Sequence, residues 1–196
     1  MENEIVHEIF QQFEGKFPPT DQEIPIKQTI MFFCNNKISK VFCATAFDYL
    51  AGLNTQQFNQ SRLFVYLNHF EQVSSRIINH LLQIREKNVF HRYDFGETEN
   101  LIKYNSKTAP KYPYSRIIFN KIVLISGLND AIASPDDVHQ LRKKLSGKIF
   151  IDYIVKNPKW NHLDFIFGKN GYENVNKFIA ETIEKYSGKK LINHHN

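Results

Sequence analysis

The chain is poor in the features that would make its class obvious. It has one tryptophan, two methionines, two cysteines and eight glycines in 196 residues. No internal repeat and no low-complexity tract interrupts it, so solenoids and unfolded polar tails are excluded. No apolar run approaches the ~20 residues that a bilayer-spanning helix needs, so no transmembrane segment is expected. Met1 is followed by Glu2, Asn3 and Glu4 rather than by a charged-then-apolar leader, so no signal peptide is expected in these residues. A formal charge of +5 and a pI near 9.1 raise the question of nucleic acid. Dense basic clusters are nearly absent, however. Only Arg142-Lys143-Lys144 and Lys189-Lys190 stand together, and the first follows Asp136 and Asp137 on a predicted helix, as a solvated face would. No nucleic-acid partner is therefore expected, and no cofactor or metal.

What is present is an ordinary folded composition, 42% hydrophobic and 23% charged, with many rings: 17 Phe and 9 Tyr. Rings suit a lipid-facing protein and an ordinary core equally. The two cysteines, Cys34 and Cys43, have eight residues between them. They read either as free thiols or as a short closed loop worth ~2–3 kcal/mol, depending on the redox compartment.

Along the first half the pattern is helical, broken by loops. Ile5, Val6, Ile9 and Phe10 give a periodic stretch from Glu4 to Phe13, stopped by Gly15 and Pro18-Pro19. A second helix is predicted to begin near Asp21 or Pro25 and to include Ile26, Ile30 and Phe33. Ile77, Ile78, Leu81, Leu82 and Ile84 mark a third, from Ser74 to Arg85. From Asp94 to Tyr114 the chain is polar, with Gly96, Pro110 and Pro113, and reads as an extended, irregular connection.

The second half changes rhythm. Lys121 to Ser126 is a continuous apolar run ending at Gly127, which predicts a parallel-sheet strand covered on both faces. Ser134-Pro135-Asp136-Asp137 is a helix start: a serine cap, proline in the first turn, then acids facing the positive end of the dipole. Val138, Leu141 and Leu145 share one face, and Gly147 closes the helix. Ile149 to Val155 is a second strand, and a last helix runs from about Tyr172 to Tyr186 with Val175, Phe178, Ile179 and Ile183 inward. The expected class is α/β, with a helical region over 1–115 and a sheet remnant over 116–196.

Two loops carry candidate chemistry. Gly127-Leu128-Asn129-Asp130 follows the first strand, where α/β proteins place their sites, although it is also good turn chemistry. Trp160-Asn161-His162-Leu163-Asp164-Phe165 follows the second, and His162 reads either as a general base or as a satisfied loop histidine. Together, an acid after one strand and a histidine 32 residues later after the next follow the Ser, acid, His chain order of α/β-hydrolases.

From roughly Phe17 to Tyr186 the chain resembles the acid lipase family, of the gastric and lysosomal type. The stretch from Asn59 to His69 is similar to the family's "SRL-VY-SH", and Phe42-Cys43 precedes it in family order. His80-Leu81-Leu82-Gln83 resembles "HW-Q". Phe90 to Gly96, with Asn100 and Tyr104, resembles "F--YD-G--N---Y". Gly127 to Asp130 with Ser134 to Val138 resembles the acid loop, and Asn161 to Ile166 resembles "HLDFIW". The departures are Glu71-Gln72-Val73-Ser74-Ser75 in place of Gly-Thr-Ser, Leu81 in place of Trp, and Ala109-Pro110 in place of a double proline. They bear on substrate preference more than on class.

The resemblance implies a partial α/β-hydrolase fold, the last two strands and helices of the sheet, preceded by a mainly helical cap. It makes Asp130 the triad acid and His162 the triad base, and it pairs Cys34 with Cys43. It implies a neutral-lipid ester as substrate, triacylglycerol or sterol ester, and secretion or lysosomal residence. Asn59-Gln60-Ser61 is a sequon that fits such a compartment. No G-x-S-x-G nucleophile turn occurs. Ser126 and Ser134 lie near Asp130 but on no such turn. The expectation is that the nucleophile, the oxyanion loop and the early strands belong to a missing N-terminal half, and that this chain alone is inactive and prone to aggregate. The alternative is a non-catalytic lipid-binding or regulatory remnant.

Overall fold

The computed structural model describes residues 16–17, 26–68 and 73–188. The expected helix over Glu4–Phe13 and its breakers Gly15 and Pro18-Pro19 lie outside the described residues, as does Lys189-Lys190. The elements in chain order are β1 (Lys16–Phe17), α1 (Ile26–Phe33), α2 (Lys37–Ala51), α3 (Leu63–Asn68), β2 (Val73–Ser74) and α4 (Ser75–Lys87). They are followed by α5 (Glu97–Tyr104), β3 (Ile122–Ser126), α6 (Pro135–Lys144), β4 (Ile149–Ile154), α7 (Asp164–Phe167) and α8 (Lys177–Ser187). The class is mixed α/β, a partial α/β-hydrolase fold. Among the described residues no helix is long and apolar enough to cross a membrane.

The described residues form two compact units, one made of those within 1–32 and 67–118, the other of those within 33–66 and 119–196. In the first, β1 and β2 pair antiparallel, Lys16 opposite Ser74 and Phe17 opposite Val73. Helix α4 forms where its apolar stripe predicts, but Ile77 and Leu81 are exposed while Ser75 and Asn79 are buried. The connection over 94–114 is not irregular throughout, because it contains α5. That helix has no apolar stripe to announce it. It is held instead by Asn100, whose Oδ1 accepts from Phe95 N at 3.0 Å and whose Nδ2 donates to Asp94 Oδ1 at 2.7 Å and Lys107 O at 3.1 Å. Lys87 pairs with Asp94 in the same corner, and this hydrogen bond holds the Asp94 carboxyl down to about 2.

The second unit carries the sheet. Strands β3 and β4 pair in parallel, from Ile122 opposite Ile149 to Ser126 opposite Ile154, with a register shift after Ile122. The expectation that both faces are covered does not hold. Val123 on one face, and Phe150 and Ile154 on the other, are 38%, 43% and 44% exposed, although Tyr186 packs edge-to-face on Phe150 and Arg142 reaches Asp152. A parallel pair alone presents two faces and two edges for neighbours to cover. Val155, Trp160 and Val175 form a buried cluster with Ile125, Tyr153 and Phe165 against it. Tyr153 stacks on Phe178 at 4.0 Å.

Helix α6 begins as its sequence dictates: the Ser134 side chain accepts from Asp137 N at 3.2 Å, Pro135 fills the first turn, and Val138 and Leu145 are buried. The last helical segment opens with a wider turn over Tyr172–Asn176 before α8. Of its predicted inward stripe Val175 is buried and Phe178 half-buried, while Ile179 and Ile183 are exposed. The hydrophobic pattern exceeds what this two-stranded sheet covers.

Cys34, just before α2, is bridged to Cys43 within that helix by a disulfide with Cα atoms 6.0 Å apart. Asn36 caps α2 inside that loop, accepting from Ile38 N and Ser39 N at 3.1 and 2.8 Å.

Candidate active site

Because β3 and β4 are parallel neighbours, the loops leaving their C-terminal ends emerge side by side. The first, Gly127 to Ala133, carries Asp130; the second, Lys156 to Leu163, carries His162. The loops are sewn together by backbone. Asn129 N donates to Trp160 O at 3.2 Å, and a Cβ on Gly127 would lie 2.4 Å from that same carbonyl. Only glycine permits so close a crossing.

Asp130 is buried and accepts three hydrogen bonds. Ile132 N and Ala133 N donate to Oδ1 at 2.9 and 2.7 Å, and His162 Nδ1 donates to Oδ2 at 3.0 Å. A carboxylate only accepts, so the imidazole proton on that side sits on Nδ1. The His162 side chain is 41% exposed, and among the described residues nothing bonds its Nε2. A histidine held in this way presents Nε2 as the free basic nitrogen, able to take a proton from a hydroxyl placed before it.

A third segment completes the support. Ala51 O, at the end of α2, accepts from both Ala131 N at 3.1 Å and His162 N at 3.2 Å, so one carbonyl spans the acid loop and the histidine loop. Asn129 Nδ2 lies within 3.0 to 3.2 Å of the carbonyls of Gly52, Leu53 and Lys159. Gly52 has a φ of +103°, and a Cβ there would meet Asn129 O at 1.7 Å. Behind the loops, Asp48, Asn54, Asn161 and Asp164 are all buried and joined by hydrogen bonds. Sequence reasoning missed Ala51, Gly52, Asp48 and Asn54, and gave Asn129 no role beyond its place in the acid loop. The acids and amides carry no periodic signal, and their partners lie up to 113 residues away.

The two serines near Asp130 are engaged elsewhere. Arg142 donates to Ser126 Oγ at 2.9 Å while its guanidinium forks onto Asp152 at 2.6 and 3.0 Å. Ser134 Oγ donates to Asp137 Oδ2 at 2.7 Å. Neither hydroxyl bonds His162. Among the described residues no group of three or more His, Cys, Asp or Glu is disposed to hold a metal.

No protein-family model matches the chain. It is similar to the tear acid lipase-like protein of Mesocricetus auratus, 32% identical over 162 residues, 82% of this chain and 39% of that protein. It is 30% identical to the gastric triacylglycerol lipase of Homo sapiens over 154 residues, 78% of this chain and 38% of that one. Lipase member N of Mus musculus is 28% identical over 162 residues, 82% and 40%. The chain thus spans about 40% of the length of the curated relatives it matches. With the parallel strands, the Asp130–His162 contact and the disulfide in place, these likenesses show that the chain belongs to the acid lipase family.

Proposed function

We propose that this chain is the cap and C-terminal part of a lipase that hydrolyses carboxylic esters of neutral lipids, triacylglycerols or sterol esters. Asp130 is its triad acid and His162 its triad base. The observation that carries the reading is the Nδ1–Oδ2 contact of 3.0 Å at the C-terminal edge of β3 and β4, with Nε2 left exposed. In this reading a serine from another part of the protein attacks the ester carbonyl, and His162 Nε2 takes its proton. The same nitrogen returns it to the leaving alcohol, while Asp130 holds the ring and balances the imidazolium charge. Water then repeats the sequence on the acyl-enzyme. No G-x-S-x-G turn lies in these residues, so the serine and its oxyanion donors belong to the N-terminal half that the longer relatives also have room for. Residues 1–115 act mainly as the helical cap and 116–196 as the core remnant. The Cys34–Cys43 bridge supports an oxidising, secretory or lysosomal compartment.

The test is the intact mass of the native protein, with peptide mapping beyond Met1 and labelling by a fluorophosphonate ester. A product near twice this mass, labelled on a G-x-S-x-G peptide and losing ester hydrolysis in His162→Ala, is expected. An unlabelled product that starts at Met1 refutes the hydrolase and leaves a lipid-binding remnant.

A further inference from the structure

Asp48, Asn54, Asn161 and Asp164 form a closed ring of hydrogen bonds with no cation among them. Asp48 Oδ2 accepts from Asn54 N at 2.7 Å, and its Oδ1 accepts from Asn161 Nδ2 at 2.7 Å. Asp164 Oδ2 accepts from Asn54 Nδ2 at 2.7 Å and from Asn161 N at 3.0 Å, while Asp164 N donates to Asn161 Oδ1 at 2.9 Å. All four residues are at most 2% exposed. His162 lies between the two that come from its own loop. Because Asn161 and Asp164 are drawn inward, the intervening backbone is fixed, and His162 N reaches Ala51 O between Asp48 and Asn54 in sequence.

We propose that Asp48 and Asn54 are positioning residues for His162, acting through a buried amide–carboxyl cluster that braces the His162 loop. This rests on the hydrolase reading for its purpose, but not for its geometry. Two ionised carboxylates in one dry cluster without a cation would repel strongly. Asn54 Oδ1 is buried and accepts no bond, so the cluster is short of donors, and a proton taken from solvent is one. Burial, and then the charge of Asp48, push the Asp164 carboxyl up to about 6. Asp48 is the titratable group that acts on it; its other partners are the Asn161 backbone and the Asn54 amide. Above that pH the second charge loosens the strut that holds the His162 loop.

The test is amide hydrogen exchange of the native full-length protein, followed in peptides over 127–134 and 157–168 and corrected for the intrinsic effect of pH. Asp48→Ala and Asn54→Ala are expected to speed exchange of both peptides by about tenfold, the loss of one buried hydrogen bond. Val138→Ala, at a buried position of α6, serves as a destabilised control that leaves the ratio of these peptides to the rest of the chain unchanged. The wild type is expected to show a step in exchange of the 157–168 peptide as pH rises through about 6, and Asp164→Asn to abolish it. If the cluster variants raise exchange evenly along the chain, or Asp164→Asn keeps the step, the proposal fails. Should the alanine variants not accumulate folded, Asp164→Asn decides alone through the step. Exchange needs no nucleophile, so absence of ester hydrolysis sinks the hydrolase reading and leaves this one standing.

Discussion

Replacing Gly52 by Ala tests whether the turn after α2 is the brace of the site. Two effects add. Gly52 has a φ of +103°, which an alanine adopts at ~1–2 kcal/mol. Its Cβ would lie 1.7 Å from the Asn129 carbonyl oxygen, backbone against backbone, so the two loops must part by more than about 1 Å. That movement strains three bonds: Asn129 Nδ2 to Gly52 O at 3.0 Å, Ala131 N to Ala51 O at 3.1 Å, and His162 N to Ala51 O at 3.2 Å. At ~0.5–1.5 kcal/mol each, and with the dihedral term, the total loss is about 2.5–6.5 kcal/mol. For a protein of this size that lowers Tm by about 10 °C or more. Gly147→Ala supplies the control. Its φ is +77°, yet a Cβ there meets nothing within 4 Å, so only the dihedral term of ~1–2 kcal/mol applies. Thermal unfolding of the two variants side by side decides the matter. Equal losses would refute the reasoning, because the close approach of Gly52 to Asn129 would then contribute nothing.

Three further outcomes are expected. Cys34→Ala with Cys43→Ala, or reduction of the wild type, removes a loop of sequence separation 9 and lowers stability by ~2.5 kcal/mol, read by denaturant unfolding. Two carboxyls make stability depend on pH in opposite directions, measurable as Tm against pH. Asp164 is raised to about 6, so its contribution is full below about 4 and is lost as pH rises through 6; Asp164→Asn flattens that limb. Asp94 is lowered to about 2, first by its hydrogen bond from Lys87, so its contribution is present above about 4 and fades toward 2; Asp94→Asn flattens the acid limb only. Trp160→Ala empties the centre of the Val155–Val175 cluster, where Trp160 is fully buried, and lowers stability by ~3–5 kcal/mol in the same assay.

Much of the chemistry was legible because it is local. Ser134-Pro135-Asp136-Asp137 announces a helix whatever surrounds it, and the structure starts α6 at Pro135 with the Ser134 cap. The unbroken apolar runs gave β3 and β4 and their parallel sense, and the placing of Asp130 and His162 after successive strands foretold their neighbourhood. The sequon at Asn59 proved to be a structural turn as well, since Asn59 Oδ1 accepts from Ser61 N at 3.1 Å. Helix α5 was not legible, because the residue that secures it, Asn100, works through hydrogen bonds to Asp94 and Lys107 rather than through an apolar stripe.

The sequence by itself determined the strand and helix rhythm, the capped start of α6, the order of acid and histidine, and the family. The tertiary structure decided which segments hold the site. It folded residues 33–66 with 119–188, set Ala51 O between Ala131 N and His162 N, and buried Asp48 and Asn54 against Asn161 and Asp164. Periodicity records only which side chains leave water, and a buried acid or amide does so through partners about 110 residues away. Such bonds exist only once the parallel strands have brought their loops together, so no local pattern announces them.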